Sequence, residues 1–243
     1  EETLTRNDFT MLANGFVTLC DNFSYKSYIL TETHRLLKKS AALTSLFYHT
    51  PLKSVANFDY AFSTSKIQYL PKDGGTVLLC KDMPVGEKAD KSSCEFAIRI
   101  VEDILESQPK LKIAVLTKFR AAVRMLQNCF ISKFGSKDNV LIDTVERVQG
   151  MTCDVCLYFI PNTMISMSLN RPLFNVATSR AKQLTIIVAD NSIMNTSCHK
   201  DVHSYLIGVT SGIIPDFKEA IIKEQEERII ESNGVSLHLK GKI

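Results

Sequence analysis

Two short stretches carry residue types that can handle phosphate. The first is Thr144-Val145-Glu146-Arg147-Val148-Gln149-Gly150-Met151-Thr152, which directly follows an apolar run at 140–143. A strand ending in a polar turn with a glycine lets backbone N–H groups and a small hydroxyl approach phosphate oxygens. The second is Leu173-Phe174-Asn175-Val176-Ala177-Thr178-Ser179-Arg180-Ala181-Lys182. Arginine stays charged and offers a planar fork of donors, so Arg180 suits charge building up on a transferring phosphoryl group. Each stretch also has a plainer reading. The first serves as a βα turn with a surface Glu-Arg pair, and the second places basic residues to complement a helix C-terminus.

The elements that must position these residues follow from hydrophobic periodicity. Aliphatic runs at 28–31, 76–80, 113–116, 140–143, 155–160 and 185–189 read as buried strands. Helical spacing appears in Phe9, Leu12, Phe16, Leu19, again in Ala97, Val101, Ile104, Leu105, and again in Phe119, Ala122, Val123, Leu126, Phe130. The 173–182 stretch reads as a short helix, with Arg180 and Lys182 near its end, feeding the strand at 185–189. A further amphipathic helix is expected over 216–231, and the polar run 82–93 reads as an exposed loop. Strands alternating with helices predict an α/β fold with a mostly parallel sheet. In such sheets ligands bind beyond the carboxyl ends of the strands, which directs attention to the loops after Leu116, Asp143 and Ile160.

Composition limits the alternatives. A chain of 243 residues with 45% hydrophobic content buries a real core and excludes disorder as the dominant state. The net charge of +3 is too small to draw polyanions to the whole surface, so a nucleic-acid site must come from local clustering. One such cluster exists: seven Lys or Arg and no acid lie between Ser107 and Lys137. No apolar run approaches the roughly 20 residues of a membrane span, so no membrane partner and a cytoplasmic location are expected. Seven scattered cysteines read as reduced thiols. Cys153-x-x-Cys156 has redox or zinc spacing, with Cys198, His199 and His203 as further donors. The pair opens a predicted strand whose alternate residues face opposite sides, so no metal site is expected. Phe47, Tyr48 and Phe119 either stack on bases or belong to the core.

Taken together, "TVERVQG" and "LFNVATSRAK" with a hydrophobic strand behind them resemble motifs V and VI of superfamily 1 helicases, in their C-terminal RecA-like domain. The similarity is to the branch of the nonsense-decay helicases and senataxin. Three more stretches fall in that family's order: Leu30 to Leu36, "LTETHRL", followed by Phe47-Tyr48; "SSCEFA" opening a helix at 92–97; and "IAVLTKFR" at 113–120. Thr33, Lys118 and Thr152 depart from the family's usual Gln, Pro and Glu. The motif-bearing part covers about 25–190 of a single domain spanning 1–243, with 191–243 as a helical C-terminal extension.

The resemblance implies a RecA-like P-loop NTPase fold without its own Walker A motif, since no G-x-x-x-x-G-K-[ST] occurs. It implies Arg180 as an arginine finger and Arg35 as a second contact to the γ-phosphate of ATP. Gln149, Gly150 and Lys182 are implied at the nucleotide cleft, and Thr144, Thr117, Lys118 and Arg120 along a single strand of DNA or RNA. Mg2+ would be held mainly by an upstream RecA-like domain, which the start at Glu1-Glu2-Thr3 without methionine also suggests. The expected function is the second motor domain of an ATP-dependent helicase or translocase, inactive alone. The alternative is a non-catalytic nucleic-acid-binding or scaffolding module.

Overall fold

The structure, a computed structural model, describes residues 29–212. The helix expected around Phe9 to Leu19 and the one over 216–231 lie outside the described residues. The chain falls into two units, Glu1–Thr31 and Glu32–Ile243, and the architecture below belongs to the second.

Five strands form one wholly parallel sheet: β3 (Gly75–Cys80), β4 (Ile113–Thr117), β5 (Val140–Thr144), β6 (Cys153–Ile160) and β7 (Ala181–Ala189), in the spatial order β3-β7-β6-β4-β5. A separate two-stranded parallel pair joins β1 (Glu32–Thr33) to β2 (Lys53–Ser54). Six α-helices, α1 (Lys38–Ser45), α2 (Lys91–Ser107), α3 (Arg120–Phe134), α4 (Ile165–Ser168), α5 (Arg171–Thr178) and α6 (Lys200–Ser211), and two short 3-10 turns, Val145–Val148 and Asn191–Asn195, complete the described fold. The expected α/β class, a parallel sheet flanked by helices, is what is observed.

Strand alternation sorts the core into two layers. Val155, Leu157, Phe159, Leu184, Ile186 and Val188 pack under α2 and α3. Tyr158, Ile160, Ile187 and Ala189 face the other way, against Phe47, Phe174 of α5 and Tyr205 of α6. Residues i and i+1 on a strand point to opposite faces, so a strand buried on both sides reads as a continuous apolar run. Phe174 sits at the middle of the second layer, with ring centroids 5.3–6.1 Å from Tyr205, Phe47 and Tyr158. Helix α6 is part of this layer: Val202, Tyr205 and Leu206 are fully buried, and the Tyr205 hydroxyl hydrogen-bonds Thr76 Oγ1 at 2.6 Å.

Several boundaries differ from the sequence reading. The run at 28–31 forms no strand within its described residues; the short β1 comes just after it, at Glu32. Helix α2 begins at Lys91, inside the stretch read as loop, because Asp90 caps it by accepting hydrogen bonds from Ser93 N and Oγ at 2.7 and 2.5 Å. Strand β7 begins at Ala181, earlier than the apolar run at 185–189. The polar pair Lys182-Gln183 hides its start: Lys182 is exposed, and Gln183 satisfies its buried amide by accepting from Ala61 N and donating to Asp59 O. Helix α5 therefore ends at Thr178 with Ser179 as its cap, so Arg180 lies in the joint and Lys182 in the strand, not on the helix.

Candidate functional site

The two arginines singled out above meet at one residue. Arg35 leaves the β1–β2 pair through a turn in which Thr33 Oγ1 accepts from the N–H of Arg35 at 3.3 Å and of Leu36 at 3.4 Å. The turn is fastened from β2, where Ser54 Oγ donates to Leu36 O at 2.7 Å. Arg35 Nη1 then donates to the carbonyl of Ser179 at 3.3 Å. On the far side of the same residue, Arg180 Nη2 donates to Ser179 Oγ at 3.2 Å, Nε to Val176 O at 2.9 Å, and Nη1 to Met151 O at 3.3 Å.

These bonds occupy one donor of Arg35 and three of Arg180, out of five on each guanidinium. Among the described residues no carboxylate lies within ion-pair distance of either side chain. Burial first, and then the neighbouring Arg35 charge, push Arg180 below the ordinary arginine pKa, although a guanidinium remains charged at physiological pH. Two like charges held together, one half-buried and neither neutralised, cost free energy that a bound anion would recover. The helix-end reading holds as well, because Val176 O and Ser179 O belong to the last turn of α5. It accounts for only part of the donor set.

Parallel register fixes which end of the sheet this is. Cys153 pairs with Ala181 where both strands begin, and Cys153 N donates to Arg180 O at 3.2 Å, so the arginine pair sits at the amino ends of β6 and β7. The loops after Leu116, Asp143 and Ile160, to which the sequence first directs attention, lie at the other end of the sheet. The loop 149–152 reaches the same place: its Met151 carbonyl holds Arg180, and Gly150 has φ +89, a conformation L side chains rarely adopt. Gln149 and Gly150 are exposed beside it in sequence, and Lys182 is exposed two residues past Arg180.

Thr117, Lys118, Arg120 and Thr144 gather at the opposite, carboxyl end, where Thr117 pairs with Thr144 across β4 and β5. Thr117 is fully buried and its Oγ1 has no hydrogen-bond partner among the described residues, while Thr144 is nearly buried. Lys118 forms an ion pair with Glu146, which ties the first turn of the 144–152 segment to the end of β4. Arg120 and Arg124 are exposed one turn apart on α3. Of the basic run 107–137, only Lys118 and Lys133 pair with acids among the described residues.

Phe47 is core, whereas Tyr48 is 46% exposed, accepts from Asn175 Nδ2 at 3.2 Å and lies within electrostatic reach of Arg180. The sequence signal for Tyr48 is its place beside Phe47, and it gave no hint of the arginine. Cys153 and Cys156 depart from strict alternation: a register shift between Cys153 and Val155 turns both thiols to the α5 side, where Cys156 Sγ donates to Ala177 O at 3.3 Å. The neighbouring Cys153 thiol, then burial, pushes the Cys156 thiol well above its ordinary pKa. Among the described residues no three His, Cys, Asp or Glu side chains are grouped to hold a metal ion, and no helix is long and apolar enough to cross a membrane.

Comparison with known proteins adds a family. The AAA_12 family model, described as an AAA domain, matches residues 13–192. Among solved structures, the chain is similar to the C-terminal domain of a possible DNA helicase from Lactobacillus plantarum WCFS1, at 10% identity and a TM-score of 0.41, over 70% of this chain and 92% of that one. It is also similar to Arterivirus nonstructural protein 10, a helicase solved in complex with DNA, at 16% identity and a TM-score of 0.32, over 65% of this chain. The PRRSV helicase nsp10 gives the same identity and TM-score. The chain spans 25% and 23% of those two viral proteins. No curated protein matches it.

Proposed function

This chain belongs to the AAA domain family, and from that premise we propose that it is the second, RecA-like motor domain of a superfamily 1 ATP-dependent helicase or translocase acting on single-stranded nucleic acid. The observation that carries the reading is the convergence of Arg35 and Arg180 on Ser179, with no carboxylate within ion-pair distance among the described residues. Six N–H donors of the pair remain for an anion, and a terminal phosphate presents the oxygens they require. ATP supplies the phosphoryl group to be transferred, and Mg2+ joins it on a neighbouring domain that carries the phosphate cradle absent from this sequence.

This chain's own residues do the following. Thr33 and the β1–β2 pair aim Arg35. Val176, Ser179 and Met151 fix Arg180 so that little ordering remains when the anion arrives. Gln149 and Gly150 line the cleft by way of Met151. At the far end of the sheet, Lys118 and Arg120 offer charge to backbone phosphates, and Thr117 and Thr144 offer hydroxyls once that end opens. Phosphate contacts set position without reading sequence, which suits a motor.

The test is Arg180→Ala in the whole protein. ATP turnover should fall on the order of a thousandfold, while nucleotide affinity and strand affinity stay within about threefold. Near-normal turnover would remove the finger assignment.

A further inference from the structure

One face of α5 makes a contact at every fourth residue. Arg171, Asn175 and Ser179 follow one another by a helical turn, and Ser179 N still donates to Asn175 O at 3.1 Å, so the spacing holds to the cap. Arg171 Nη2 donates to Phe47 O at 2.7 Å, Asn175 Nδ2 donates to the Tyr48 hydroxyl at 3.2 Å, and Ser179 receives both Arg35 and Arg180. The Tyr48 phenol is therefore pinned to the residue one turn before the meeting point of the two guanidiniums. Side chains so spaced on a helix stand about 5–6 Å apart at Cβ.

The phenol is held from both ends. Phe47 is buried in the aromatic layer against Phe174 and Tyr205, and Tyr48 N donates to Ser45 O at 3.0 Å in the turn after α1. With its backbone and its hydroxyl both tied, the ring has little freedom left to lose on binding. Tyr48 itself remains 46% exposed, so a ligand can reach it.

The direction of the Asn175 bond decides what the hydroxyl can still do. A phenol both donates and accepts. Asn175 Nδ2 fills the accepting role, and among the described residues no group takes the proton. Reversing the amide would aim Asn175 Oδ1 at the phenol and leave two N–H donors where one buried carbonyl oxygen now lies without a partner, which is the costlier arrangement. The tyrosine thus keeps its proton for a ligand. A neutral donor at this place adds a hydrogen bond to an anion without adding a third like charge to a pair that already repels.

We infer that the Tyr48 hydroxyl donates to an oxygen of the terminal phosphate held by Arg35 and Arg180, and that Asn175 is the residue that positions it. The inference rests on the nucleotide half of the function proposed above and adds a contact that the arginines do not supply. Because the donor is oriented before the phosphate arrives, it stabilises charge on the transferring group without further ordering.

The test is Tyr48→Phe in the whole protein, which keeps the ring and removes the hydroxyl. Two quantities are read: the rise of the thermal midpoint with inorganic pyrophosphate, and kcat/KM for ATP. The variant should need about tenfold more pyrophosphate for the same rise, and kcat/KM should fall by about tenfold, with the midpoint in the absence of anion little changed. Asn175→Ala should weaken the pyrophosphate response about threefold alone and add nothing to Tyr48→Phe, because it acts through the phenol. A Tyr48→Phe protein that melts lower yet matches the wild type in pyrophosphate response and ATP turnover has lost a packing contact only; that result overturns the inference and leaves the arginine site standing. Additive losses in the double variant overturn the positioning role of Asn175. A wild type that shows neither a pyrophosphate response nor ATP turnover overturns the proposed function and the inference together.

Discussion

Arg35 and Arg180 share Ser179: one guanidinium donates to its carbonyl oxygen and the other to its hydroxyl. The residues are far apart in sequence, and what brings them together is the fastening of the β1–β2 turn at one side and the end of α5 at the other. Because the two charges repel, an anion between them should stabilise the fold by mass action, as RT ln(1 + [L]/Kd). Thermal unfolding with increasing inorganic pyrophosphate should show a rising midpoint in the wild type. The Arg35→Gln, Arg180→Gln double variant should show no rise, and an equal rise there would refute the shared anion site.

Gly150 holds φ +89 with open space where a Cβ would stand, so Gly150→Ala clashes with nothing and suffers backbone strain alone. The expected stability loss is about 1 kcal/mol by urea denaturation. Since Met151 follows directly and its carbonyl holds Arg180, ATP turnover of the whole protein should drop by more than that loss accounts for.

Phe174→Ala should cost about 3–5 kcal/mol, because it empties the centre of the aromatic layer formed with Phe47, Tyr158 and Tyr205. The same helix is capped by Ser179, so the variant should also lose stabilisation by pyrophosphate in whatever fraction remains folded. Circular dichroism melts with and without the anion would check both statements.

Asp190 is buried at the end of β7 and accepts from Met83 N at 2.8 Å and from Ser192 N and Oγ at 2.9 and 2.6 Å. Burial alone would raise its pKa, but the hydrogen bonds from Ser192 and Met83, with the Asn162 amide nearby, outweigh that and hold it below the ordinary carboxylate value. A depressed folded-state pKa contributes stability that is complete above the unfolded value near 4 and is lost as pH falls through the folded value. Asp190→Asn should therefore flatten the acid limb of the stability–pH curve below about pH 4 and cost on the order of 1–3 kcal/mol at neutral pH.

Burial, then the neighbouring Cys129, pushes the Cys94 thiol up to about 12, and Cys156 is raised well above its ordinary value by the neighbouring Cys153 thiol and by burial. Neither should react with iodoacetamide at pH 8 in the folded protein, and both should react after denaturation. Peptide mass spectrometry reads the difference, and rapid native labelling of Cys156 would contradict the packed arrangement at the start of β6.

Much of this architecture was legible because a strand buried on both faces must be apolar throughout, as 113–116 and 155–160 are, and because the edge strands at 76–80 and 140–143 are mostly apolar despite their partial exposure. The start of β7 was not, since Lys182 and Gln183 are polar and only tertiary partners at Asp59 and Ala61 reveal why they sit in a sheet. The residues of the candidate site were nameable from their types, but their division between two ends of the sheet was not. That division depends on register, and register appears only when Cys153 is seen paired with Ala181. The slip beside Cys153 was equally hidden, because a two-residue periodicity has no room for an extra residue.

The two ends are separated by most of the length of β6, about 20 Å at the rise of a strand. Parallel strands locked by side chains on both faces behave as a plate, so motion at one edge does not diffuse through it. The segment 144–152 bridges the gap covalently, with Thr144 and the Glu146–Lys118 pair at its head and the Met151–Arg180 bond at its tail. A displacement of its tail would reach its head through this short tether, and lengthening the tether by inserted residues should uncouple the ends while leaving each chemically whole.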